Sequence, residues 1–265
     1  NILINFTKMS IFTTEITSEK ISSDNPIHQR LYKAYIESLP FISGDVLELG
    51  CGEGRGIDLI NQKAKTFTAV DKIDSVINNL KEKYPPNKFI TSSFPPLNIF
   101  DDNSFDTIIS FQVIEHIKND KLFIKEIYRL LKKGGKALIT TPNILMTLTR
   151  NPWHIREYTS QSLRSILSDS FSDFEIKGIA GNEKIISYYS ANKKSVQKFK
   201  NLDIFNLEKN LPSFLYKIPY EILNRINRNK LENNNDSLVS SISEKDYYLN
   251  KDQKDNLDLF CILKK

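Results

Sequence analysis

Cysteine, tryptophan and glycine are scarce in this chain. Its 265 residues include two cysteines, Cys51 and Cys261, a single tryptophan and nine glycines. The two cysteines do not have the spacing of metal ligands, and a chain of this length buries enough surface to need no disulfide. Because so few cysteines are typical of a reducing compartment, the sequence predicts a cytoplasmic protein.

Long apolar runs are missing as well. No run reaches the roughly 20 apolar residues that span a bilayer. Residues 1–10 lack the basic stretch and apolar core of a signal peptide, so we expect neither a membrane span nor a signal peptide. Because the first residue is Asn1, Met9 is a candidate internal start.

Basic charge is not concentrated enough to indicate a nucleic-acid partner. The formal net charge is +5, and 26% of the residues are charged. Domains that bind nucleic acid usually carry a larger or more clustered basic excess. With 40% hydrophobic residues, the composition predicts a folded chain with a sizeable core, and no nucleic-acid partner is expected.

Short apolar runs alternate with amphipathic segments between Asp45 and Asn143. This alternation predicts an α/β fold with right-handed crossovers and a doubly wound, mainly parallel sheet. The predicted strands are 45–49, 66–70, 88–90, 105–111 and 136–141, and the predicted helices are 56–63, 75–83 and 120–131, the last capped by Gly134-Gly135.

The flanks of this region complete the predicted architecture. Helices are predicted at 26–39 and 160–169, and further strands at 174–179 and 257–263. Residues 182–250 are rich in Lys and Asn and are predicted to form helices and loops, inserted before the last strand. The predicted division is an N-terminal segment with a lead-in helix (1–44), a cofactor-binding core (45–181), a helical insertion that serves as a substrate lid (182–250) and a final core strand (251–265).

Glycine is concentrated directly after the first predicted strand, in the run Glu48-Leu-Gly-Cys-Gly-Glu-Gly54. Glycines at such a strand end permit a tight turn and a close approach of the backbone to a ligand. A dinucleotide fingerprint is excluded, because Arg55 and Ile57 stand where its third glycine is required. A phosphate-binding P-loop is excluded too, because no Gly-Lys-Ser/Thr follows. The carboxylate of Glu48 disfavours a pyrophosphate and suits a ligand with ammonium and sulfonium groups.

A second acidic residue, Asp71, ends the second predicted strand about twenty residues further on. A carboxylate at this place is suited to accept hydrogen bonds from ribose hydroxyls. Together with Glu48 and the glycine run, it predicts a positively charged nucleoside cofactor.

Five segments in order resemble class I S-adenosylmethionine-dependent methyltransferases. They are Val46-Leu-Glu-Leu-Gly-Cys-Gly-Glu-Gly54, Ala69-Val-Asp-Lys72, Asn103-Ser-Phe-Asp106, Phe111-Gln-Val-Ile-Glu-His116 and Leu130-Leu-Lys-Lys-Gly-Gly-Lys136. The resemblance implies a Rossmann-like sheet of seven strands with an antiparallel last strand, and S-adenosylmethionine as the cofactor.

The same resemblance implies roles for individual residues. Glu48 and the glycine run would face the methionine part of the cofactor, and Asp71 would hold the ribose. After the third strand, Ser93 and Phe94 stand in place of the family's usual acidic residue, and we expect them to meet the adenine. The cofactor-binding residues implied are Glu48, Gly50, Cys51, Gly52, Gly54, Asp71, Lys72 beside the adenine, Ser93, Phe94 and Gln112 near the sulfonium.

The pair Glu115-His116 resembles one in ubiquinone-pathway O-methyltransferases, some of which hold a metal with a further Glu three residues earlier. Here that earlier residue is Gln112. An amide is a poorer ligand than a carboxylate for a hard cation, so no metal is expected. His116 is predicted to be structural or to line the substrate site, and it is the second candidate for a catalytic base.

The only tryptophan lies in the segment Arg150–Tyr158, which follows the fifth predicted strand. In this fold, that position places the segment over the mouth of the site. It resembles a His-x-Arg-Glu-Tyr/Phe-Thr stretch in a subgroup of these methyltransferases. His154 is the first candidate for a general base, and Trp153, Arg156 and Tyr158 are predicted to contact the substrate. The alternative is a packed loop in which Arg156 pairs with Glu157.

The insertion carries a local basic excess. Nine basic and three acidic residues fall between Lys193 and Lys230, and apolar residues from Phe214 to Ile226 recur near helical spacing around Pro219. Such a pattern favours an amphipathic helix packed on its own domain. The alternative is a lid that touches an anionic or lipid-linked substrate, or a peripheral contact with a membrane surface.

These observations predict an S-adenosylmethionine-dependent methyltransferase. Its acceptor is expected to be a small molecule, a glycan or a lipid-linked compound, methylated at oxygen or nitrogen. Two alternatives stay open: a nucleotide-dependent oxidoreductase on a similar fold, and a catalytically inactive cofactor-binding subunit. The oligomeric state does not follow from the sequence.

Overall fold

The structure is a computed structural model that describes residues 21–202, 210–234 and 236–265. The predictions for residues 1–10, and those that depend on residues 203–209, lie outside the described part. The chain divides into two compact units. The larger unit comprises Leu31–Thr147, Ile155–Ala180 and Tyr248–Lys265, and the smaller unit takes in 21–30, 148–154 and the described residues of 181–247.

The sheet contains eight strands in the order β3-β2-β1-β4-β5-β8-β6-β7. β1, β2 and β3 pair in parallel on one side, and β1, β4 and β5 pair in parallel on the other. β8 runs antiparallel between β5 and β6. The strands are β1 Asp45–Leu49, β2 Thr66–Asp71, β3 Lys88–Thr91, β4 Phe105–Phe111, β5 Leu131–Pro142, β6 Asp173–Gly181, β7 Tyr247–Asn250 and β8 Asp258–Lys264.

Helices connect these strands in the order that the sequence predicts. The first five are α1 Asn25–Ser38, α2 Ile57–Ile60, α3 Asp74–Lys83, α4 Asp120–Leu130 and α5 Ser160–Leu167. The predicted fold class is confirmed, as is the antiparallel last strand. Because the chain crosses from one side of β1 to the other before β4, the carboxyl ends of β1 and β4 lie at the switch point, where open α/β sheets bind ligands.

Apolar side chains from both faces of the central strands form the core of the larger unit. β4 is buried almost throughout and β5 is buried from Ala137 to Thr141, which is expected for strands covered by helices on both faces. α4 contributes Phe123, Ile124 and Ile127, each completely buried. Both cysteines are buried and free, in agreement with a core that is not held by a disulfide.

The sheet has one strand more than the resemblance implies. Its eighth strand, β7, comes from the end of the stretch predicted to be helices and loops. The segment Tyr247-Tyr-Leu contains two aromatic residues, a type that is enriched in strands. Their preference for extended structure accounts for a strand within polar, Asn-rich surroundings.

The prediction that Gly134-Gly135 caps α4 is wrong. α4 ends at Leu130, and Leu131 already has extended backbone with φ −67° and ψ 136°. β5 begins there, and its register with β4 shifts between Phe105 and Thr107. Gly134, with φ +79°, therefore serves the irregular start of a strand and does not end a helix. The predicted helix 56–63 is also shorter than expected, since α2 has only four residues.

The smaller unit is built mainly from helices α6 Glu183–Leu202, α7 Ser213–Asn234 and α8 Asp236–Ser241. Asp24 is buried in this unit and connects its segments: the carboxylate accepts hydrogen bonds from Arg225 and Arg228 of α7 at 2.9 and 2.8 Å. Asn25 donates to two backbone carbonyls of the same unit. Residues 21–30 thus belong with the helical insertion, a division that differs from the predicted boundary after residue 44.

The prediction that the apolar residues of the insertion pack on its own domain is wrong for α7. Phe214, Ile218 and their apolar neighbours are exposed, although the helix forms with Pro219 inside it. The side of α7 that packs carries Tyr216, Asn227 and Leu231 instead. Among the described residues, no helix is both long enough and apolar enough to cross a membrane.

Arg129 on α4 fastens the segment that joins β3 to β4. Its guanidinium donates to Glu126 at 2.8 and 2.9 Å and to the carbonyls of Leu97 and Phe100 at 3.1 and 3.0 Å. Glu126 in turn accepts from the backbone N–H of Leu97 at 2.8 Å. One planar cation thereby satisfies carbonyls that no regular element would pair.

We predict that Arg129→Gln lowers the free energy of unfolding by about 2 kcal/mol, because charge-assisted hydrogen bonds to buried partners are lost. The measurement is urea denaturation followed by circular dichroism. Lys133→Gln, at an exposed residue nearby, is the control and is expected to change stability by less than about 0.5 kcal/mol. Equal stability of the two variants would contradict the prediction.

Candidate cofactor site at the switch point of the sheet

The loop after β1 is shaped by two glycines with opposite surroundings. Gly50 has φ +80° and donates its N–H to the carbonyl of Val70 at 2.8 Å, and a Cβ on it would meet Val113 at 2.4 Å. Gly52 has φ +49°, but a Cβ on it would meet no atom of the described residues within 4 Å. Gly50 therefore lets the loop pack, whereas Gly52 leaves its backbone open to a ligand.

Asp71 at the end of β2 ties this loop to the neighbouring strand. Its carboxylate accepts from the N–H of Gly52 at 3.0 Å and, through its other oxygen, from the N–H of Ile73 at 3.0 Å. The side chain is buried. Each carboxylate oxygen has capacity for a second hydrogen bond, so the residue predicted to hold a ribose is both positioned and chemically able to accept hydroxyl protons.

Glu48 is a buried carboxylate with one oxygen in use. It is 1% exposed, and its Oε1 accepts a hydrogen bond of 2.6 Å from the hydroxyl of Tyr35. Its Oε2 is buried and has no hydrogen-bond partner among the described residues. Burial raises the pKa of Glu48 to about 8; the Tyr35 hydrogen bond and Arg55 lower it, and Asp71 adds to the rise. An unpartnered buried acceptor of this kind is costly and calls for a donor, above all a cationic one.

Nothing in the sequence singles out Tyr35, which lies on α1, 13 residues before Glu48. Its ring packs edge-on against Phe111 with centroids 4.8 Å apart. A Cβ at Gly56 would fall 1.8 Å from the same ring. Gly56, two residues after the glycine run, thus makes room for the aromatic ring whose hydroxyl donates to Glu48, and only the tertiary structure connects these residues.

Gln112 directly follows β4 and has φ +57°, which is uncommon for a residue with a side chain. Its N–H donates to the carbonyl of Thr140 at 2.9 Å, and its Nε2 donates to Oγ1 of the same residue at 3.2 Å. Two bonds to β5 hold the unusual backbone. A conformation held against its preference at a strand end is typical of a binding site.

The predicted adenine contacts are at the surface. Lys72 and Ser93 are exposed, and Phe94 is half-buried with its ring stacked on Phe123 at 5.7 Å between centroids. Cys51 is buried, and burial raises the pKa of its thiol further above its ordinary value, with Glu48 and Asp71 adding to the rise. The thiol therefore stays protonated, which leaves Cys51 a packed residue of the loop.

The larger unit holds two of the predicted substrate residues through Asp120. Arg156 forms an ion pair with this carboxylate, and the buried Tyr158 donates its hydroxyl to it at 2.9 Å. Glu157, the partner that the alternative assigns to Arg156, accepts a hydrogen bond from the hydroxyl of Thr147. His116 is half-buried at the end of a short turn, Ile114–His116.

The third predicted substrate residue, Trp153, and the candidate base His154 belong to the smaller unit. The Nε2 of His154 lies 2.9 Å from the amide nitrogen of Asn151. Trp153 donates its backbone N–H to the other end of that amide at 3.0 Å. The ammonium of Lys217 lies 3.5 Å from the centre of the Trp153 ring.

Fold and site together define a nucleoside-binding α/β domain with an acidic strand end. Residues 47–139 match the family described as a methyltransferase domain. A relative in Mycobacterium tuberculosis, named "Probable S-adenosylmethionine-dependent methyltransferase", is 36% identical over 141 residues, which cover 51% of this chain and 51% of that protein. Over these residues the chain is similar to methyltransferase domains of the class I S-adenosylmethionine-dependent family.

Two more distant proteins are also similar to this chain. A mitochondrial ubiquinone biosynthesis O-methyltransferase of Dictyostelium discoideum is 28% identical over 143 residues, covering 49% of this chain and 41% of that protein. A crystal structure of a methyltransferase from Archaeoglobus fulgidus superposes with a TM-score of 0.54 at 18% identity, over 90% of this chain and 94% of the other. The structural likeness confirms the predicted fold, and the family match and the mycobacterial relative agree with the predicted methyltransferase family and with S-adenosylmethionine as its cofactor. The chain matches only about half the length of the curated relatives.

The buried charge of Glu48 predicts that stability falls as the pH rises. The folded protein keeps the proton on Glu48 up to about pH 8, whereas a free carboxyl releases it near 4.5. The protonated Glu48 therefore contributes its full stabilisation below pH 4.5. As the pH rises from 4.5 to about 8, this contribution to the free energy of unfolding falls by on the order of a few kcal/mol. The Glu48→Gln variant has no titrating group at this position, so it lacks this dependence on pH. Between pH 5 and pH 9 the free energy of unfolding of the variant should therefore rise relative to that of the wild type.

The measurement is guanidinium denaturation of both proteins, without added cofactor, at several pH values. Glu53→Gln, an exposed residue of the same loop, is the control and should follow the wild type. A constant difference between Glu48→Gln and the wild type across this range would contradict the assigned pKa.

Proposed function

We propose that the protein transfers a methyl group from S-adenosylmethionine to an oxygen or nitrogen of a small molecule, a glycan or a lipid-linked acceptor. The observation that carries this proposal is the unpartnered, buried Oε2 of Glu48 at the end of β1, close in sequence to the open backbone of Gly52. A carboxylate at this place opposes a phosphate and favours an ammonium group.

Each part of the cofactor has residues suited to it. Glu48 would accept from the ammonium group, and the backbone around Gly50 and Gly52 would line the methionine part. Asp71 would accept from the ribose hydroxyls. The remaining contacts are those predicted from the family resemblance, with Gln112 near the sulfonium and Lys72, Ser93 and Phe94 around the adenine.

The chemistry requires little of the protein beyond alignment and exclusion of water. The bound cofactor supplies a methyl group on positively charged sulfur, open to in-line displacement by a nucleophile. Glu48 and Asp71 come from neighbouring parallel strands and are buried, so the carboxylates are held before the ligand arrives. Such preorganisation avoids part of the cost of binding.

A base is needed only where the acceptor carries a proton in its resting form. The Dictyostelium relative is named an O-methyltransferase, which supports a hydroxyl acceptor. For that case we propose His154 as the first candidate base and His116 as the second. Trp153 and Arg156 are proposed to contact the acceptor, and Tyr158, whose hydroxyl is engaged by Asp120, is proposed to hold Arg156 in place.

Affinity for the cofactor should depend on pH through Glu48. Because the free site holds a proton on Glu48 below about pH 8 and an ammonium ligand favours the ionised form, binding releases that proton. We predict that the affinity for S-adenosylhomocysteine rises by up to about tenfold per pH unit between pH 6 and pH 8. Isothermal titration calorimetry in buffers of different ionisation enthalpy measures both affinity and proton release.

Glu48→Gln should bind S-adenosylhomocysteine at least about tenfold more weakly at pH 8 and lose the pH dependence. Its affinity for 5′-methylthioadenosine, which lacks the ammonium group, should be nearly unchanged. Glu53→Gln is the matched control. No binding by the wild type, or equal binding of S-adenosylhomocysteine by Glu48→Gln, would refute the proposed function.

Replacing His154 tests the proposed base. Incubating the protein with methyl-labelled S-adenosylmethionine and a cell extract identifies the labelled product, which then serves as the substrate assay. We predict that His154→Gln lowers turnover of that product by about a hundredfold, with cofactor affinity retained. Unchanged turnover would remove His154, and an extract without any labelled product would favour the alternative of an inactive cofactor-binding subunit.

A further inference from the structure

Helix α7 carries the most prominent exposed apolar surface of the described residues. Phe214 is 71% exposed and Ile218 is 69% exposed. We call the whole set the α7 face; it consists of Phe214, Leu215, Ile218, Ile222, Leu223 and Ile226, all exposed. Scattered single apolar residues on a surface need no explanation, but six on one helix mark a binding surface.

The α7 face is a continuous stripe and not a random set. Four of its residues recur at every fourth position from 214 to 226, which places them above one another along the helix. The opposite side of α7 holds the helix in the smaller unit. There Asn227 donates to Asn192 of α6 at 2.8 Å, and Arg228 donates to the buried Asp24.

Basic charge accompanies the apolar stripe. The described residues of the smaller unit include twelve basic and seven acidic side chains, a net charge of +5. Three of the lysines, Lys193, Lys194 and Lys198, are exposed on α6, which packs beside α7. An exposed apolar helix face in a unit of positive net charge is complementary to a surface that is both apolar and negatively charged.

We propose that α7 binds the surface of a membrane that contains anionic lipids, with the α7 face in the acyl boundary and the α6 lysines over the headgroups. Helices with this distribution lie in the plane of the interface, held by apolar burial and by attraction to anionic lipid. A purely apolar protein partner would leave the exposed lysines of α6 without an opposite charge, whereas anionic headgroups supply one.

The segment with Trp153 is fastened to the beginning of α7. Arg150 donates to the carbonyl of Leu211 at 3.1 Å and to the hydroxyl of Ser213, and its guanidinium lies over the ring of Tyr216. Lys217 lies over the Trp153 ring. Docking of α7 therefore carries this segment to the membrane surface, and, on the proposed function, this narrows the acceptor to a lipid-linked compound.

Trp153 is the only tryptophan of the chain and reports directly on docking. The first experiment adds vesicles of phosphatidylglycerol and phosphatidylcholine to the wild-type protein and records tryptophan emission and co-sedimentation. We expect a blue shift and sedimentation with these vesicles, and much weaker effects with pure phosphatidylcholine or in about 1 M salt, where charges are screened within ~3 Å.

Variants separate the α7 face from general stickiness. Phe214→Ser with Ile218→Ser should lower vesicle affinity by about tenfold or more, because two large apolar groups no longer leave water. Ile99→Ser, at a residue of the larger unit that is 50% exposed, is the matched control and should bind vesicles like the wild type. Replacing Lys193, Lys194 and Lys198 with Gln should weaken the preference for anionic lipid.

Three outcomes would overturn the proposal. The first is an absence of vesicle binding by the wild type, or equal binding by the double variant. The second is a melting temperature of the double variant more than about 4 °C below that of the wild type, which would show that the chain itself covers the α7 face. The third is a concentration-dependent dimer that the double variant loses, which would assign the face to a second copy. None of these measurements needs the cofactor, so they fail independently of the proposed methyl transfer.

Discussion

The buried carboxylate of Glu48 and its hydrogen bond to Tyr35 form the interaction on which the cofactor site depends. A carboxylate at 1% exposure is unfavourable while it is charged, and the single hydroxyl donor offsets only part of that cost. The fold tolerates it because β1 lies in the middle of the sheet, where parallel neighbours hold its backbone on both sides. The part of that cost which is not offset is relieved when a cationic group binds beside the carboxylate. The site therefore selects a ligand that carries a positive charge.

The other parts of the site keep that carboxylate usable. Asp71 accepts a hydrogen bond from the N–H of Gly52 and so fixes the loop at a residue that has no side chain to block a ligand. Gly56 makes room for the Tyr35 ring, and Phe111 supports the same ring from β4. Helix α1, the glycine loop and β4 are distant in sequence but meet around the carboxylate of Glu48. A substitution in any of them can therefore change the pKa of Glu48.

The smaller unit shows a different balance of forces. Its helices are held by polar contacts to a buried aspartate, Asp24, whereas a full set of apolar side chains on α7 stays exposed. An isolated domain gains nothing from such an arrangement, because apolar surface in water is unfavourable. A surface that serves something outside the domain accounts for it, and its attachment to the Trp153 segment links that surface to residues proposed to meet the acceptor.

The sequence by itself determined the alternation of strands and helices from β1 to β5, the bounds of β1 and β4, the glycine loop and the acidic ends of β1 and β2, because period, turn chemistry and strand ends are local properties. Only the tertiary structure decided that Tyr35 donates to Glu48, that Arg156 pairs with Asp120, that β7 joins the sheet and that the apolar face of α7 points to solvent. Those facts depend on which segments meet in space. An amphipathic period states that a helix has an apolar side, but it does not state whether protein, membrane or water lies against that side.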